Sequence, residues 1–182
     1  IRKYIKEGDL VFDIGANIGQ YTIPISEMVG ESGRVCSFEP DFRTFSFLQF
    51  NVNINRCRNV TCLNYGVGGK DSEMEFYRDT ETGGRKGSFI REYTGDNYTG
   101  YSEKVSLRKF DTIVSTFGKP DFVKMDVEGF EVGVISGLTT NLINCNFLIE
   151  VREETKADVF NFFAEKSFEC IWIDNDEVVI NK

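Results

Sequence analysis

Apolar runs and apolar stripes alternate along this chain. Leu10 to Ile14 is an apolar run interrupted only by Asp13, and it reads as a buried strand. It leads into Gly15-Ala16-Asn17-Ile18-Gly19, after which Ile18, Tyr21, Ile25 and Met28 recur at helical spacing and predict a helix over 18–29. Residues 2–7 read as the end of an earlier helix, stopped at Gly8-Asp9. Arg34 to Phe38 predicts a second strand, ended by Glu39-Pro40 because proline has no N–H for a ladder. Phe45, Leu48 and Val52, with Phe42, mark the apolar face of a helix over 45–55, and Val60 to Leu63 predicts a third strand. Such alternation implies a parallel sheet with right-handed crossovers.

The rhythm then breaks. Glu73 to Tyr77 alternates and reads as an exposed or edge strand. Residues 78–102 show no periodicity; they interleave Arg78, Arg85, Lys86 and Arg91 with Phe89, Tyr93, Tyr98 and Tyr101. A structureless stretch of that length in a compact domain is a substrate lid or disordered. A short strand over 105–107 and a helix over 111–117 follow, and the alternation resumes with a strongly apolar strand over 121–126. A helix over 130–136, a strand over 147–151 and a helix over 157–166 come next. Phe168 to Ile173 and Val178 to Asn181, parted by Asp174-Asn175-Asp176, read as an antiparallel hairpin. With no repeat and no linker, residues 1–182 read as one α/β domain.

Composition narrows the function. A net charge of −8 argues against a duplex nucleic-acid binder, which needs a basic face. No run approaches the ~18 apolar residues of a membrane span. The start lacks the basic and apolar regions of a signal peptide. The five cysteines are odd in number with no CxxC pair, which fits a reducing, cytoplasmic compartment; Cys36 and Cys170 read as core residues. The chain has no histidine, so any general base must be Asp, Glu, Lys or Tyr.

A strand, a glycine turn and a helix place backbone N–H groups beside the carboxyl end of a parallel strand, where open α/β sheets bind small ligands. A dinucleotide turn needs a second glycine two residues after the first; Asn17 stands there instead. Asp13 precedes the turn, and an anion there repels phosphate. Both features favour S-adenosylmethionine, which is cationic and carries no phosphate. Glu39, at the end of the second strand, suits ribose hydroxyls, as it would in a nicotinamide site. The second cluster is Phe122-Val-Lys-Met-Asp-Val-Glu-Gly129. Lys124 in an apolar strand needs a partner, and Asp126, on the same strand face, and Glu150 are the candidates. Asp126 and Glu128 are candidate site carboxylates, whereas Glu131 reads as a helix cap.

Asp13-Ile-Gly-Ala-Asn-Ile-Gly19, Phe38-Glu-Pro40, Asn51 and Asn55 before Asn59-Val60, and Lys124-Met-Asp-Val-Glu-Gly-Phe-Glu131 together resemble the FkbM family of S-adenosylmethionine-dependent methyltransferases. The resemblance spans roughly residues 9–152. It implies a class I methyltransferase (Rossmann-like) fold: a seven-stranded, mostly parallel sheet with an antiparallel end and helices on both faces. It implies O-methylation of a hydroxyl on a sugar or other small molecule. It places Asp13, Gly15, Ala16, Asn17, Gly19, Glu39 and Pro40 at the cofactor, and Asp126 and Glu128, with Lys124, near the transferred methyl. Three carboxylates in one cleft, Asp126, Glu128 and Glu150, would raise one another's pKa or hold a divalent cation, though no residue is assigned to a metal. The expected partner is a small-molecule or glycan acceptor, not nucleic acid; the three prolines are isolated, so the Asn/Asp-Pro-Pro-aromatic motif of amine methylation cannot form. The rival readings are a nicotinamide-dependent oxidoreductase and a catalytically silent binding module.

Overall fold

A computed structural model describes residues 1–79, 87–172 and 177–181. Strand β1 (Leu10–Ile14) is an inner strand of the main sheet, wholly buried. It pairs in parallel with β2 (Arg34–Phe38) on one side and β7 (Phe122–Met125) on the other. The intervening strands are β3 (Val60–Leu63), β4 (Gly66–Gly68), β5 (Ser72–Asp79) and β6 (Tyr98–Lys109); β8 (Asn146–Glu150), β9 (Glu169–Trp172) and β10 (Glu177–Asn181) follow. The main sheet has the order β3-β2-β1-β7-β8-β10-β9. Its first five strands are parallel; β10 enters antiparallel between β8 and β9. The expected α/β architecture is therefore present, with the terminal hairpin closing the sheet.

Successive residues of a strand point to opposite faces, and both faces here are covered. Val11, Val35, Phe122 and Leu148 pack against Ile25 and Val29 of α1 (Thr22–Val29), beside α2 (Phe42–Ile54). On the opposite face Phe12, Ile14, Phe38 and Phe147 meet α3 (Phe110–Phe117), α4 (Glu131–Ile135) and α5 (Glu153–Glu165). Phe147 and Phe163 rings lie 4.8 Å apart there. Among the described residues no helix is long and apolar enough to cross a membrane. The five cysteines are free thiols; Cys36 is buried as expected, whereas Cys170 is only partly so.

Several elements differ from the reading of the sequence. Residues 2–7 form turns, not a helix end; Ile5 is buried beside Val29, and Gly8, at φ 91, donates its N–H to Val29 O. Helix α1 starts at Thr22 rather than Ile18, because Gly19 sits at φ 95, outside helical space. Pro24 then falls in its first turn, where a missing N–H costs nothing. Helix α2 starts earlier than its apolar periodicity suggests, because Asp41 caps it by accepting the Thr44 N–H at 2.7 Å. Phe42 is 64% exposed and not part of the buried face.

The largest difference is the stretch read as structureless. Strand β6 runs from Tyr98 to Lys109, and a 3-10 segment spans Arg91–Asn97. Strand β6 forms a second sheet, order β4-β6-β5, pairing antiparallel with β5 and parallel with β4. Arg85 and Lys86 lie outside the described residues. Asp41 ties this sheet to the main body through an ion pair with Arg78, which also pairs with Glu103.

Candidate active site

Gly15 leaves β1 at φ 76, and an added Cβ would overlap the carbonyl oxygen of Asp126. The turn thus packs directly on the end of β7, and only glycine fits. Gly15 and Ala16 both donate to Phe38 O at 3.0 Å, which fixes the turn against the end of β2. Asn17 stands at φ 50, a left-handed conformation that Asn tolerates better than most side chains. Its Oδ1 accepts the Ile18 N–H at 2.8 Å, and its own N–H donates to Glu39 Oε2 at 2.9 Å. The other carboxylate oxygen of Glu39 accepts the Asp41 N–H at 3.0 Å. Asn64 Nδ2 donates to both Glu39 O and Pro40 O, and Asn51 Nδ2 holds Ile18 O. Burial pushes the Glu39 carboxyl up to about 8, against the two N–H bonds that favour its charged form.

Asp13 and Lys124 are register partners on β1 and β7. Asp13 is fully buried; Oδ2 accepts from Thr22 Oγ1 at 2.5 Å, and Oδ1 lies 3.3 Å from Lys124 Nζ. Lys124 Nζ also donates to Gly15 O at 2.9 Å, lies 3.7 Å from Asp126 Oδ2, and sits over the Tyr21 ring. Burial pulls the ammonium pKa down, but Asp13 and Asp126 more than offset this and hold it above its ordinary value. The anion expected to face a ligand is therefore neutralised behind the turn. Asp13 does not line the cleft, and Lys124 pins the turn to β7. Ala16 packs among Phe45, Leu48 and Val52, and Gly19 faces Leu48; neither lines the cleft.

Gly15, Asn17, Glu39 and Pro40 form one wall of the cleft; Asp126 and Glu128 form the other. Asp126 anchors there by donating its N–H to Ile14 O at 3.0 Å. Glu128 is left-handed at φ 49, and Ser88 Oγ holds its carbonyl at 2.8 Å. Arg152, just beyond β8, forms an ion pair with the Glu128 carboxylate and sits over the Tyr93 ring. Burial and the charge of Asp126 raise the Glu128 carboxyl, partly offset by Arg152. Glu131 is buried and accepts from Gly129 N and Thr155 Oγ1, tying α4 to α5; its role is structural, but it is not the expected cap, since α4 has no side-chain cap hydrogen bond. Glu150 is exposed at the end of β8. Among the described residues no group of three or more potential ligands is placed to hold a metal ion.

The roof comes from two aromatics, of which the sequence pattern names only Phe89, within the 78–102 stretch. Phe76 of β5 and Phe89 contribute rings 5.1 Å apart, with Gly66, Val67 and Gly87 beside them. An added Cβ at Gly87 would press on the Phe76 ring, so the backbone there approaches as only glycine can. The wall offers Glu39, Asp126 and Glu128 and, among the described residues, no lysine or arginine. That set of carboxylates fits a cationic ligand.

Comparison with known proteins agrees. The methyltransferase FkbM domain model matches residues 13–170. The hexuronic acid methyltransferase AglP of Haloferax volcanii is 29% identical over 151 residues, covering 79% of this chain. The match covers 56% of AglP, so the chain spans about half the length of that relative. Precorrin-6y C5,15-methyltransferase of Geobacter metallireducens shares the fold, with a TM-score of 0.59 at 13% identity over 98% of this chain and 81% of its own. Aeropyrum pernix fibrillarin, solved with natively bound S-adenosylmethionine, does so with a TM-score of 0.57 at 15% identity over 97% of this chain and 67% of its own. The chain belongs to the FkbM methyltransferase domain family, whose cofactor is S-adenosylmethionine.

Proposed function

We propose that this chain is the catalytic unit of an O-methyltransferase that methylates a sugar hydroxyl. The observation that carries this reading is the convergence of Glu39, Asp126 and Glu128 on one cleft at the carboxyl ends of β1, β2 and β7. The sugar class rests on AglP, named a hexuronic acid methyltransferase.

Each residue has a role in this reading. The bound cofactor supplies an electrophilic methyl on a cationic sulfur. Glu39, its two oxygens oriented by the N–H groups of Asn17 and Asp41, keeps lone pairs free for ribose hydroxyls. Glu128 takes the proton of the acceptor hydroxyl; burial and Asp126 raise its basicity, and Arg152 fixes its rotamer. Asp126 adds negative charge opposite Glu39. Phe76 and Phe89 keep water from the cleft, and the second sheet supplies the acceptor side. Most of the acceleration comes from holding the hydroxyl in line, with the proton transfer adding ~10²–10⁴-fold.

The test is methyl transfer from S-adenosylmethionine to uronic-acid saccharides, with product ethers read by mass spectrometry. Wild type yields a methyl ether, and Glu128→Gln slows turnover by about 10²-fold while cofactor affinity stays within about threefold. Cofactor binding with no transfer to any saccharide would favour a silent binding module instead.

A further inference from the structure

Helix α2 carries two apolar faces. Phe45, Leu48 and Val52 are buried against the sheet. On the opposite side Phe42, Phe47, Phe50 and Ile54 are 64%, 52%, 62% and 64% exposed. At 3.6 residues per turn these four fall in one stripe, with Arg43 among them. They are half of the eight large hydrophobic side chains exposed among the described residues, so the apolar surface is concentrated on one helix rather than scattered.

The charge around the stripe runs against that of the molecule. The chain carries a net −8, yet residues 42–70 contain no Asp or Glu and four cations: Arg43, Arg56, Arg58 and Lys70. Arg43, Arg56 and Arg58 are exposed and form no ion pair with a described residue. Solvent-facing phenylalanines on an exposed helix face, edged by guanidinium groups in an otherwise acidic protein, complement a surface that is negative outside and apolar just beneath. We infer that α2 is an interfacial helix that docks this protein on an anionic lipid surface. The rings enter the boundary between headgroups and acyl chains, and the arginines meet lipid phosphates. Helix α2 begins at Phe42, three residues after Glu39, so docking holds the rim of the cleft beside the membrane. This inference is independent of the proposed chemistry.

Cosedimentation with vesicles of phosphatidylcholine, with and without phosphatidylglycerol, tests it. The wild-type chain should pellet with the anionic vesicles and detach as salt rises. Phe47→Ser/Phe50→Ser should weaken that binding at least about tenfold, and Arg43→Gln/Arg58→Gln also about tenfold. All four side chains are exposed, so both variants should melt at the wild-type temperature and bind S-adenosylhomocysteine as wild type does. Failure to pellet with anionic vesicles would overturn the inference. So would equal pelleting of both variants, or a solution dimer that Phe50→Ser separates and that ignores vesicles.

Discussion

The backbone N–H of Asn17 donates to Glu39 Oε2 at 2.9 Å, so the residue that stands in place of a turn glycine orients the carboxylate at the end of the next strand. Asn17 can do this because its backbone is left-handed and its side chain closes on Ile18 N–H. The turn therefore acts through main-chain geometry, and the buried charge beneath it serves stability.

That charge gives the first prediction. Lys124→Met leaves Asp13, fully buried, without its counter-ion, at a cost of about 3–5 kcal/mol. Asp13→Asn in the same chain should recover much of the loss. Urea unfolding of the three proteins checks both steps. Equal stability of wild type and Lys124→Met would mean that the pair contributes nothing to holding β1 on β7.

Gly15→Ala meets both a left-handed backbone and the Asp126 carbonyl oxygen. It should lose at least about 2 kcal/mol in thermal or denaturant unfolding. Gly100→Ala, at φ 84 but with open space around the added carbon, should lose less.

The pH dependence follows from Glu39. Its carboxyl is raised in the folded chain from 4.5 to about 8, so the protonated form is favoured by folding. The stability it contributes is complete below pH ~4.5 and is lost as pH rises toward 8, by about 4–5 kcal/mol. Glu128 and Glu131, also raised, act in the same direction. Melting of the ligand-free protein should fall across this window, and Glu39→Gln should flatten the fall. Ribose hydroxyls that bond to the ionised form would expel its proton, so affinity for S-adenosylhomocysteine should rise from pH 6 to 8. Titration at both pH values in buffers of different ionisation enthalpy reads the released proton.

Arg78 joins the second sheet to the cap of α2 through Asp41. Arg78→Met should loosen the roof over the cleft. Cofactor affinity should drop about three- to tenfold, with faster proteolysis between β5 and β6 and little loss of global stability.

The parallel sheet is legible in the sequence because its strands are contiguous apolar runs, such as Leu10–Ile14 and Phe122–Met125, separated by glycine turns. The second sheet is not. Strand β4 is three residues, two of them glycine, and β5 and β6 mix Glu73, Glu75, Glu103 and Lys104 into partly exposed faces. Asn17, Glu39, Asp126 and Glu128 sit at the ends of legible elements, so the sequence already points to them. Phe76, Phe89, Tyr93 and Arg152 reach the site through the second sheet and the segment after β8; Phe89 and Tyr93 stand out in the sequence only as aromatics among the arginines of 78–102, with nothing to place them at the cleft. Asp13 was legible as a strand-end acid, yet its pairing with Lys124 depends on β7 lying beside β1, more than a hundred residues away in sequence.

The most direct measurement is calorimetric titration of the chain and of Glu39→Ala with S-adenosylhomocysteine. The account predicts one-to-one binding by wild type and a loss of about thirtyfold or more in the variant, roughly 2 kcal/mol. Absence of wild-type binding, or undiminished binding by Glu39→Ala, would contradict it.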